Sequence, residues 1–191
     1  MSMIFDLPNE VEFGGRSWRI NTDFRDVLRV LTAFEDVDLP DEEKAYICLQ
    51  NLYPDLDQIP TEDLQAAFDE AIRFIDAGQQ ATEEGPSPRT MDWNQDAPLI
   101  FSAVNRSAGF EVRAVEYMHW WTFVGFFMEI RDTTFATVLG LRQKKFGKHR
   151  KKLEKHEQEF WNNNRSICEL KARYTEAELE ERDRLNKLLG G

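Results

Sequence analysis

Aromatic side chains are concentrated between residues 92 and 127, and this cluster constrains the fold more than any other feature of the chain. The segment holds three of the five tryptophans. Each large aromatic side chain removes roughly 150–250 Å² from water when it is buried, so the cluster marks either the centre of a core or a surface that binds a partner. We predict a structural core that contains Trp93, Leu99, Ile100, Trp120, Trp121 and Phe123.

The beginning of the chain predicts a β-hairpin. Residues 11–20 alternate apolar and polar side chains on either side of Gly14 and Gly15, and a two-residue hairpin turn requires residues that adopt positive φ. Such a hairpin would bury one face, made of Val11, Phe13, Trp18 and Ile20. Because an isolated hairpin is only marginally stable, it must pack on helices or pair with a strand of a partner.

Helical periodicity follows the hairpin. The pattern predicts a helix capped by Thr22, a second helix between Pro40 and Pro54, and a third that Thr61 and Gly78 cap. The acidic first turn of the second helix is favourable at the positive end of the helix dipole.

Four more helices are predicted in the second half of the chain. The first begins at Asp92 or, because of the following proline, at Asp96, and it ends at Gly109. The aromatic helix spans about residues 115–130, and a shorter helical piece starts at Thr134. A long helix then runs through Trp161 and Leu170.

The chain ends in a segment that predicts one further helix. Thr175 and Glu178 have the spacing of a capping box, in which each side chain binds the backbone N–H of the other residue. The apolar stripe behind them is thin, so this helix needs a partner or the rest of the domain to remain folded.

Residues 79–91 predict a linker or mobile loop, because they lack periodicity and contain Gly85, Pro86 and Pro88. They separate a hairpin with helices (1–78) from an aromatic-rich helical region with a basic segment and a C-terminal helix (92–191). A chain of 191 residues suits one compact domain overall. The predicted fold class is mainly α, a helical domain with a small N-terminal β-hairpin and a C-terminal helical extension.

Charge is distributed unevenly along the chain. Residues 1–91 carry 7 basic and 20 acidic side chains, whereas residues 92–191 carry 17 and 15. Within the second half, residues 142–155 contain eight basic side chains and one acidic one. We identify seven of these cations as candidate partner-binding residues: Arg142, Lys144, Lys145, Lys148, Arg150, Lys151 and Lys152.

Two kinds of partner could bind this basic segment. Eight cations could neutralise several phosphates of a nucleic acid, with a steep dependence on salt concentration. The whole chain is acidic, however, with a net charge of −11, and no recognised nucleic-acid-binding pattern surrounds the segment. We therefore favour an acidic protein partner, or the acidic first half of a second copy.

The sequence indicates no catalytic, cofactor or metal site. Nucleophile elbows, phosphate loops and dinucleotide fingerprints are absent. His119 lacks further ligands at helical spacing, and we interpret it as a structural, hydrogen-bonded histidine. Cys48 and Cys168 are far apart, so we expect reduced thiols, at least one of them buried.

The acidic pairs Asp36/Asp38, Glu42/Glu43 and Asp55/Asp57 lie at predicted helix starts or beside prolines. Carboxylates at such positions are favoured for capping and solubility, so we do not interpret them as acid–base or magnesium sites. The longest apolar run is far shorter than a bilayer span, and no secretory signal begins the chain. We expect a non-enzymatic protein that stays where it is translated, without a membrane partner.

Three segments resemble a known family. They are Leu7–Arg25, which includes Val-Glu-Phe-Gly-Gly and Asn-Thr-Asp-Phe-Arg; Asp92–Phe101, which includes Asp-Trp-Asn-Gln-Asp-Ala-Pro; and Tyr117–Phe123, Tyr-Met-His-Trp-Trp-Thr-Phe. The chain resembles the bacteriophage gene-product-fifteen family, small proteins of phages and prophages of low-GC Gram-positive bacteria. The similarity covers residues 5 to 175 and supplies no catalytic residues.

The resemblance implies a function in tail morphogenesis. Members of that family are encoded beside the long tape-measure protein, which implies a tail assembly chaperone that binds the tape measure and tail tube subunits in the host cytoplasm. Self-association stays open. The alternative is a phage protein that binds nucleic acid through residues 142–155.

Overall fold

The N-terminal hairpin forms where the glycine pair predicts it. The computed structural model describes residues 6–77, 88–175, 178–181 and 184. Strands β1 (Glu10–Phe13) and β2 (Arg16–Arg19) pair antiparallel, and Gly14 and Gly15 have φ of 58° and 72°. Positive φ at both positions favours glycine, and the Asp63 carboxylate lies close to the Cα atom of Gly14.

The buried face of the hairpin packs on the helices. The Phe13 and Trp18 rings stack with centroids 5.5 Å apart, and Phe13 also meets the Tyr53 ring edge-on. Ile20 is buried with them and Val11 is half-buried. A hairpin alone is marginal, and this packing stabilises it.

Three helices follow: α1 (Phe24–Phe34), α2 (Asp41–Leu52) and α3 (Leu64–Ile75). The predicted Thr22 cap of α1 is wrong. Asp23 accepts the Arg25 backbone N–H at 2.9 Å, while the Thr22 hydroxyl shares a hydrogen bond with the Tyr117 hydroxyl. The start of α2 after Pro40 is confirmed.

The predicted boundaries of α3 need correction. Thr61–Asp63 form a 3₁₀ turn, and Thr61 makes no side-chain cap, so the α-helix begins only at Leu64, after the predicted start. Ala77 takes a left-handed conformation with φ of 52° just after the end of α3. The predicted C-cap, Gly78, lies outside the described residues.

The next pair is α4 (Ala97–Ala108) and α5 (Trp120–Met128). Gly109 ends α4 with φ of 80°, as predicted. The aromatic helix begins five residues later than predicted, because the Met118 carbonyl and the Trp120 N–H pair with the backbone of residues 22–24. This pairing holds residues 118 and 119 in an extended conformation, which is incompatible with a helix.

Three helices complete the described chain: α6 (Thr134–Phe146), α7 (Lys155–Asn163) and α8 (Arg165–Cys168). The predicted long helix through Trp161 and Leu170 is wrong, because Asn164 leaves the helical region and separates α7 from α8. Residues 169–175 then run without helix or strand.

The predicted capping box at Thr175 is present. The Glu178 carboxylate accepts the Thr175 N–H at 2.8 Å, and the Thr175 hydroxyl accepts the Glu178 N–H at 3.2 Å. Most residues of the helix that would follow lie outside the described residues. The prediction of a mainly α fold with a small N-terminal hairpin is confirmed, and no helix within the described ranges has the length and apolarity to span a bilayer.

One large apolar cluster joins the two halves of the chain. It contains buried residues of the hairpin and α1 to α3 together with those of α4, α5 and the start of α6. At its centre the Phe24 and Phe123 rings stack at 4.8 Å. A smaller cluster under α6 to α8 is built on Val138, Leu141, Leu153, Trp161 and Cys168. Leu99 packs against both clusters.

Candidate partner-binding surfaces

The predicted core residues fall into two groups. Ile100, Trp120 and Phe123 are buried, with at most 3% of their surface exposed. Trp93, Leu99 and Trp121 are half-buried and pack on the same cluster from its edge. The tryptophan-rich centre therefore supplies packing on its inner side and partly exposed apolar surface on its outer side.

The two adjacent tryptophans of α5 also cap α3. The Trp120 indole N–H donates to the Ile75 carbonyl at 2.7 Å, and the Trp121 indole N–H donates to the Phe74 carbonyl at 2.9 Å. The last carbonyls of a helix have no partner within the helix, so the Trp120 indole satisfies the Ile75 carbonyl, while the Trp121 indole adds a second donor to the Phe74 carbonyl, which also accepts the Ala77 N–H at 3.0 Å. The Trp-Trp pair is thus a structural link between two helices.

His119 has the structural role predicted for it. Its Nδ1 accepts the Trp121 backbone N–H at 3.0 Å and so caps α5, and its Nε2 lies 2.9 Å from the Pro8 carbonyl. A ring that accepts at Nδ1 and donates at Nε2 is the neutral tautomer. The histidine therefore ties the segment before the hairpin to the start of the aromatic helix.

Arg142, predicted to face a partner, is buried instead. Its guanidinium contacts the Asp96 carboxylate at 2.6 and 2.9 Å and the carbonyls of Thr90, Ile167 and Cys168 at 2.7–3.1 Å. All five guanidinium N–H donors are thereby satisfied. The prediction that Arg142 binds a partner is wrong, because its side chain is 1% exposed and holds α6 against the start of α4.

Asp92 is the centre of a second set of ion pairs. Its carboxylate contacts the guanidinium of Arg89 and that of Arg173, the latter at 2.9 Å, and accepts the Gln95 backbone N–H at 2.6 Å. Burial alone would raise its pKa, but these hydrogen bonds outweigh burial and lower the pKa of Asp92 to about 2. Glu35 joins the set by contacting Arg173 at 2.8 Å.

Gln95 holds the segment that follows α8. Its amide NH₂ donates to the Glu169 carbonyl at 2.7 Å, and its amide oxygen accepts the Lys171 N–H at 2.9 Å. This side chain therefore binds the extended backbone as a neighbouring strand would. We call the residues Glu35, Asp92, Gln95, Asp96, Arg142 and Arg173 the motif network.

The rest of the basic segment is more exposed than Arg142. Lys144 pairs with Glu157 at 2.6 Å, and the Lys145 ammonium lies 4.0 Å from the centre of the Trp161 ring. Lys148, Arg150, Lys151 and Lys152 are exposed. The cations are therefore partly used within the fold, and the exposed charge is concentrated after α6.

Two apolar cavities open on the helical surface. The first, of about 540 Å³, lies between α1 and α4, with Phe24, Leu28, Trp93, Ile100 and Phe101 among its lining residues. Three arginines border it, and each is paired with a nearby carboxylate: Arg25 with Asp23, Arg29 with Asp26, and Arg113 with Glu111. The border of this cavity is therefore electrically balanced.

The second cavity, of about 560 Å³, lies where α2 and α3 meet the end of α1. Its apolar lining is Phe34, Ala45, Leu49, Leu64 and Phe68, and its polar lining is Asp41, Lys44 and Gln65. We call it the acidic groove, because the chain segment that forms it, residues 34–69, carries eleven carboxylates and one lysine. Two of these carboxylates contact arginines from outside the segment, Glu35 with Arg173 and Asp55 with Arg19, and the segment still keeps an excess of negative charge.

The remaining candidates identified from the sequence have structural surroundings. Asp36 accepts the Asp38 backbone N–H at 2.9 Å, and Asp55 lies 3.6 Å from Arg19. Within the described ranges no three His, Cys, Asp or Glu side chains converge as metal ligands would. Cys48 and Cys168 are both buried and unlinked, and burial raises the pKa of Cys48 to about 12.

The sequence pointed to the Asp-Trp-Asn-Gln-Asp motif but not to what its side chains do. The partners of Asp96 and Gln95 lie 46 and 76 residues further along the chain, beyond the reach of any local pattern. The acidic groove was also missed, because its floor joins three helices. The one available signal was the excess of carboxylates over residues 34–69.

Comparison with known proteins identifies the family. The family model described as Bacteriophage Gp15 protein matches residues 3–170, which is most of the chain. No curated protein matches the chain, and no solved structure does. The matched residues include the hairpin, the aromatic helix and every residue of the motif network except Arg173. This chain belongs to the Bacteriophage Gp15 protein family.

Proposed function

We propose that this protein is a non-enzymatic tail assembly factor that acts as a chaperone for the tape-measure protein, the tail tube subunits, or both, in the host cytoplasm. The observation that carries the proposal is the pair of open apolar cavities on a phage-family protein. Grooves between helices accept the apolar face of an amphipathic helix. A long helical tape measure presents many such faces before it is packed in a tail.

The engagement of the motif residues supports a role without catalysis. Asp96 and Arg142 bind each other, and Asp92 binds Arg173. The His119 ring caps the aromatic helix. Groups that hold elements together in this way support a rigid body that presents binding surfaces. These motif residues then stabilise the fold, and the outer faces of the helices contact the partner.

The structure gives less support to the nucleic-acid alternative than the sequence did. Arg142 is buried, Lys144 is neutralised by Glu157, and Lys145 lies over Trp161. Fewer cations can then contact phosphates, which lowers both affinity and the slope of its salt dependence.

Co-expression tests the proposal. We expect the tape-measure protein of the same phage to be more soluble when this protein is present, and the two to copurify. A matched expression of the tape measure with an unrelated acidic protein controls for a general effect of charge. If the tape measure and the tube subunit are no more soluble with this protein than with the control, the proposed function is wrong.

DNA binding is measured in parallel with a variant that leaves structural cations in place. Lys151→Gln combined with Lys152→Gln removes two exposed charges while Arg142, Lys144 and Lys145 stay intact. Tight, salt-sensitive binding to DNA that this variant abolishes would establish the alternative and overturn the chaperone assignment.

A further inference from the structure

We propose that the acidic groove binds a basic amphipathic helix of the tail protein that this chain assists, with an apolar side chain in the cavity and lysines or arginines against the surrounding carboxylates. This inference rests on the proposed function, since it assigns that function to one surface and gives its partner a chemical character.

The floor of the groove provides the apolar half of the recognition. Leu49 is buried, while Phe34, Leu64 and Phe68 are half-buried, and the Phe34 and Phe68 rings approach to 6.4 Å. Ala45 contributes only a methyl group to the lining. A cavity of about 560 Å³ can take a large apolar side chain of a partner.

The border of the groove provides the charged half. Asp41 lines the groove, and Glu42 and Glu43 follow it in the first turn of α2. All three are exposed, and none of their carboxylates has an ion-pair or hydrogen-bond partner within the described ranges. Their position at the positive end of α2 explains why the helix tolerates them. It leaves their outward-facing charge unbalanced, and mutual repulsion favours a cationic partner.

The contrast with the cavity between α1 and α4 indicates which occupant fits the acidic groove. In that other cavity each bordering arginine already contacts a carboxylate. The lining of the acidic groove contains one cation, Lys44, beside the three exposed carboxylates at the start of α2. Charge complementarity directs encounter and suppresses wrong partners, so this groove selects a basic helix and rejects an acidic one.

Peptide binding provides the direct test. The probes are fluorescent amphipathic helices of about 18 residues, or five turns, one built from leucine and lysine and one from leucine and glutamate. We expect the lysine peptide to bind and the glutamate peptide not to bind. Asp41→Asn with Glu42→Gln should lower the affinity for the lysine peptide by about threefold to thirtyfold, as expected for the loss of two exposed ion pairs.

A cavity-filling variant separates groove binding from adsorption to an acidic surface. Ala45→Trp fills the cavity without changing the charge. We expect it to lower the affinity for the lysine peptide by about tenfold or more. Ala114→Trp, at an exposed position of a 3₁₀ turn, is the control for the added ring. Glu116→Gln with Glu159→Gln, both exposed, is the control for two lost charges.

Circular dichroism and thermal unfolding verify that each variant is folded. If Ala45→Trp does not fold, Gln65→Arg replaces it, because Gln65 is exposed and an added cation at the border should repel the lysine peptide. A folded Ala45→Trp variant that binds the lysine peptide as tightly as the parent overturns the proposal. Equal binding of the glutamate peptide also overturns it.

Two further outcomes assign the groove or the function differently. Light scattering measures self-association at increasing protein concentration. If the protein associates, and if both Ala45→Trp and the pair Lys151→Gln with Lys152→Gln abolish that association, the groove binds a second copy of this chain. That result would overturn the proposal. If the parent and Ala45→Trp solubilise the tape measure equally, the chaperone function stands and the groove assignment fails. If neither protein makes the tape measure more soluble, the proposed function is wrong. The peptide experiment alone then tests whether the groove binds a basic helix.

Discussion

The motif network and the acidic groove contain the same kinds of charged side chain in opposite situations. In the network, Asp96 and Arg142 are each 1% exposed, and every guanidinium N–H of Arg142 is bound. At the groove, Asp41 and Glu42 are exposed and lack ion-pair partners among the described residues. The comparison teaches that the network's charges maintain the fold, while those at the groove remain free to bind another molecule.

The largest expected effect comes from removing the buried arginine. Arg142→Met should lower the free energy of unfolding by about 3–5 kcal/mol, because it leaves the Asp96 carboxylate buried without its partner. Urea unfolding measures the change. Arg150→Met is the control from the same basic segment, and it should change stability by less than about 0.5 kcal/mol because Arg150 is exposed.

The double variant Arg142→Met with Asp96→Asn sharpens this result. Removing both charges should be less destabilising than removing the arginine alone, since no uncompensated charge remains. A loss below about 1 kcal/mol for Arg142→Met would contradict the structural role of the pair.

The next effect concerns the indole that caps α3. Trp120→Phe should destabilise the protein by about 1–3 kcal/mol, because the Ile75 carbonyl loses its buried donor. Trp18→Phe is the matched control, since the buried Trp18 indole N–H has no hydrogen-bond partner among the described residues. Thermal unfolding compares the two. Equal losses would mean that packing alone, and not the helix cap, determines the contribution of Trp120.

A smaller effect is expected from acid. The pKa of Asp92 is lowered to about 2, so Asp92 stabilises the fold above its unfolded pKa and loses that contribution as the pH falls from about 4 to about 2. Solvent screening limits the contribution to about 1 kcal/mol. Urea unfolding over this pH range measures it, and Asp92→Asn should flatten that part of the profile. An unchanged profile would show that Asp92 is not stabilised by its arginine contacts.

The smallest effect is expected at the end of α3. Ala77 has a φ of 52°, which costs an alanine about 1 kcal/mol and a glycine very little. Ala77→Gly should therefore raise stability by about 0.5 kcal/mol after the greater backbone entropy of glycine is taken into account. Ala108→Gly, in the last turn of α4, should lower stability instead, by up to about 1 kcal/mol. Differential scanning calorimetry resolves changes of opposite sign.

Local signals predicted the elements whose causes are local. The Gly14–Gly15 turn, the start of α2 after Pro40 and the end of α4 at Gly109 follow from backbone preferences of single residues. The helix start at Trp120 did not follow, because pairing with the backbone of residues 22–24 holds the preceding residues extended. The break at Asn164 was also missed, since no proline or glycine marks it.

The candidate sites were less predictable than the elements. Arg142 lies in a run of cations, and the sequence alone could not separate it from Arg150, although one is buried and the other exposed. Their difference arises from the position of Asp96, which is distant in sequence. The acidic groove requires the end of α1 to meet α2 and α3, and no motif encodes such a meeting of helices.

Hydrogen–deuterium exchange of this protein with and without the tape measure tests the central comparison most directly. The account predicts new protection over residues 41–49 and 64–68, which line the acidic groove, and unchanged exchange over residues 92–96 of the motif network. Protection confined to residues 92–96, or to the basic residues 148–152, would contradict the account.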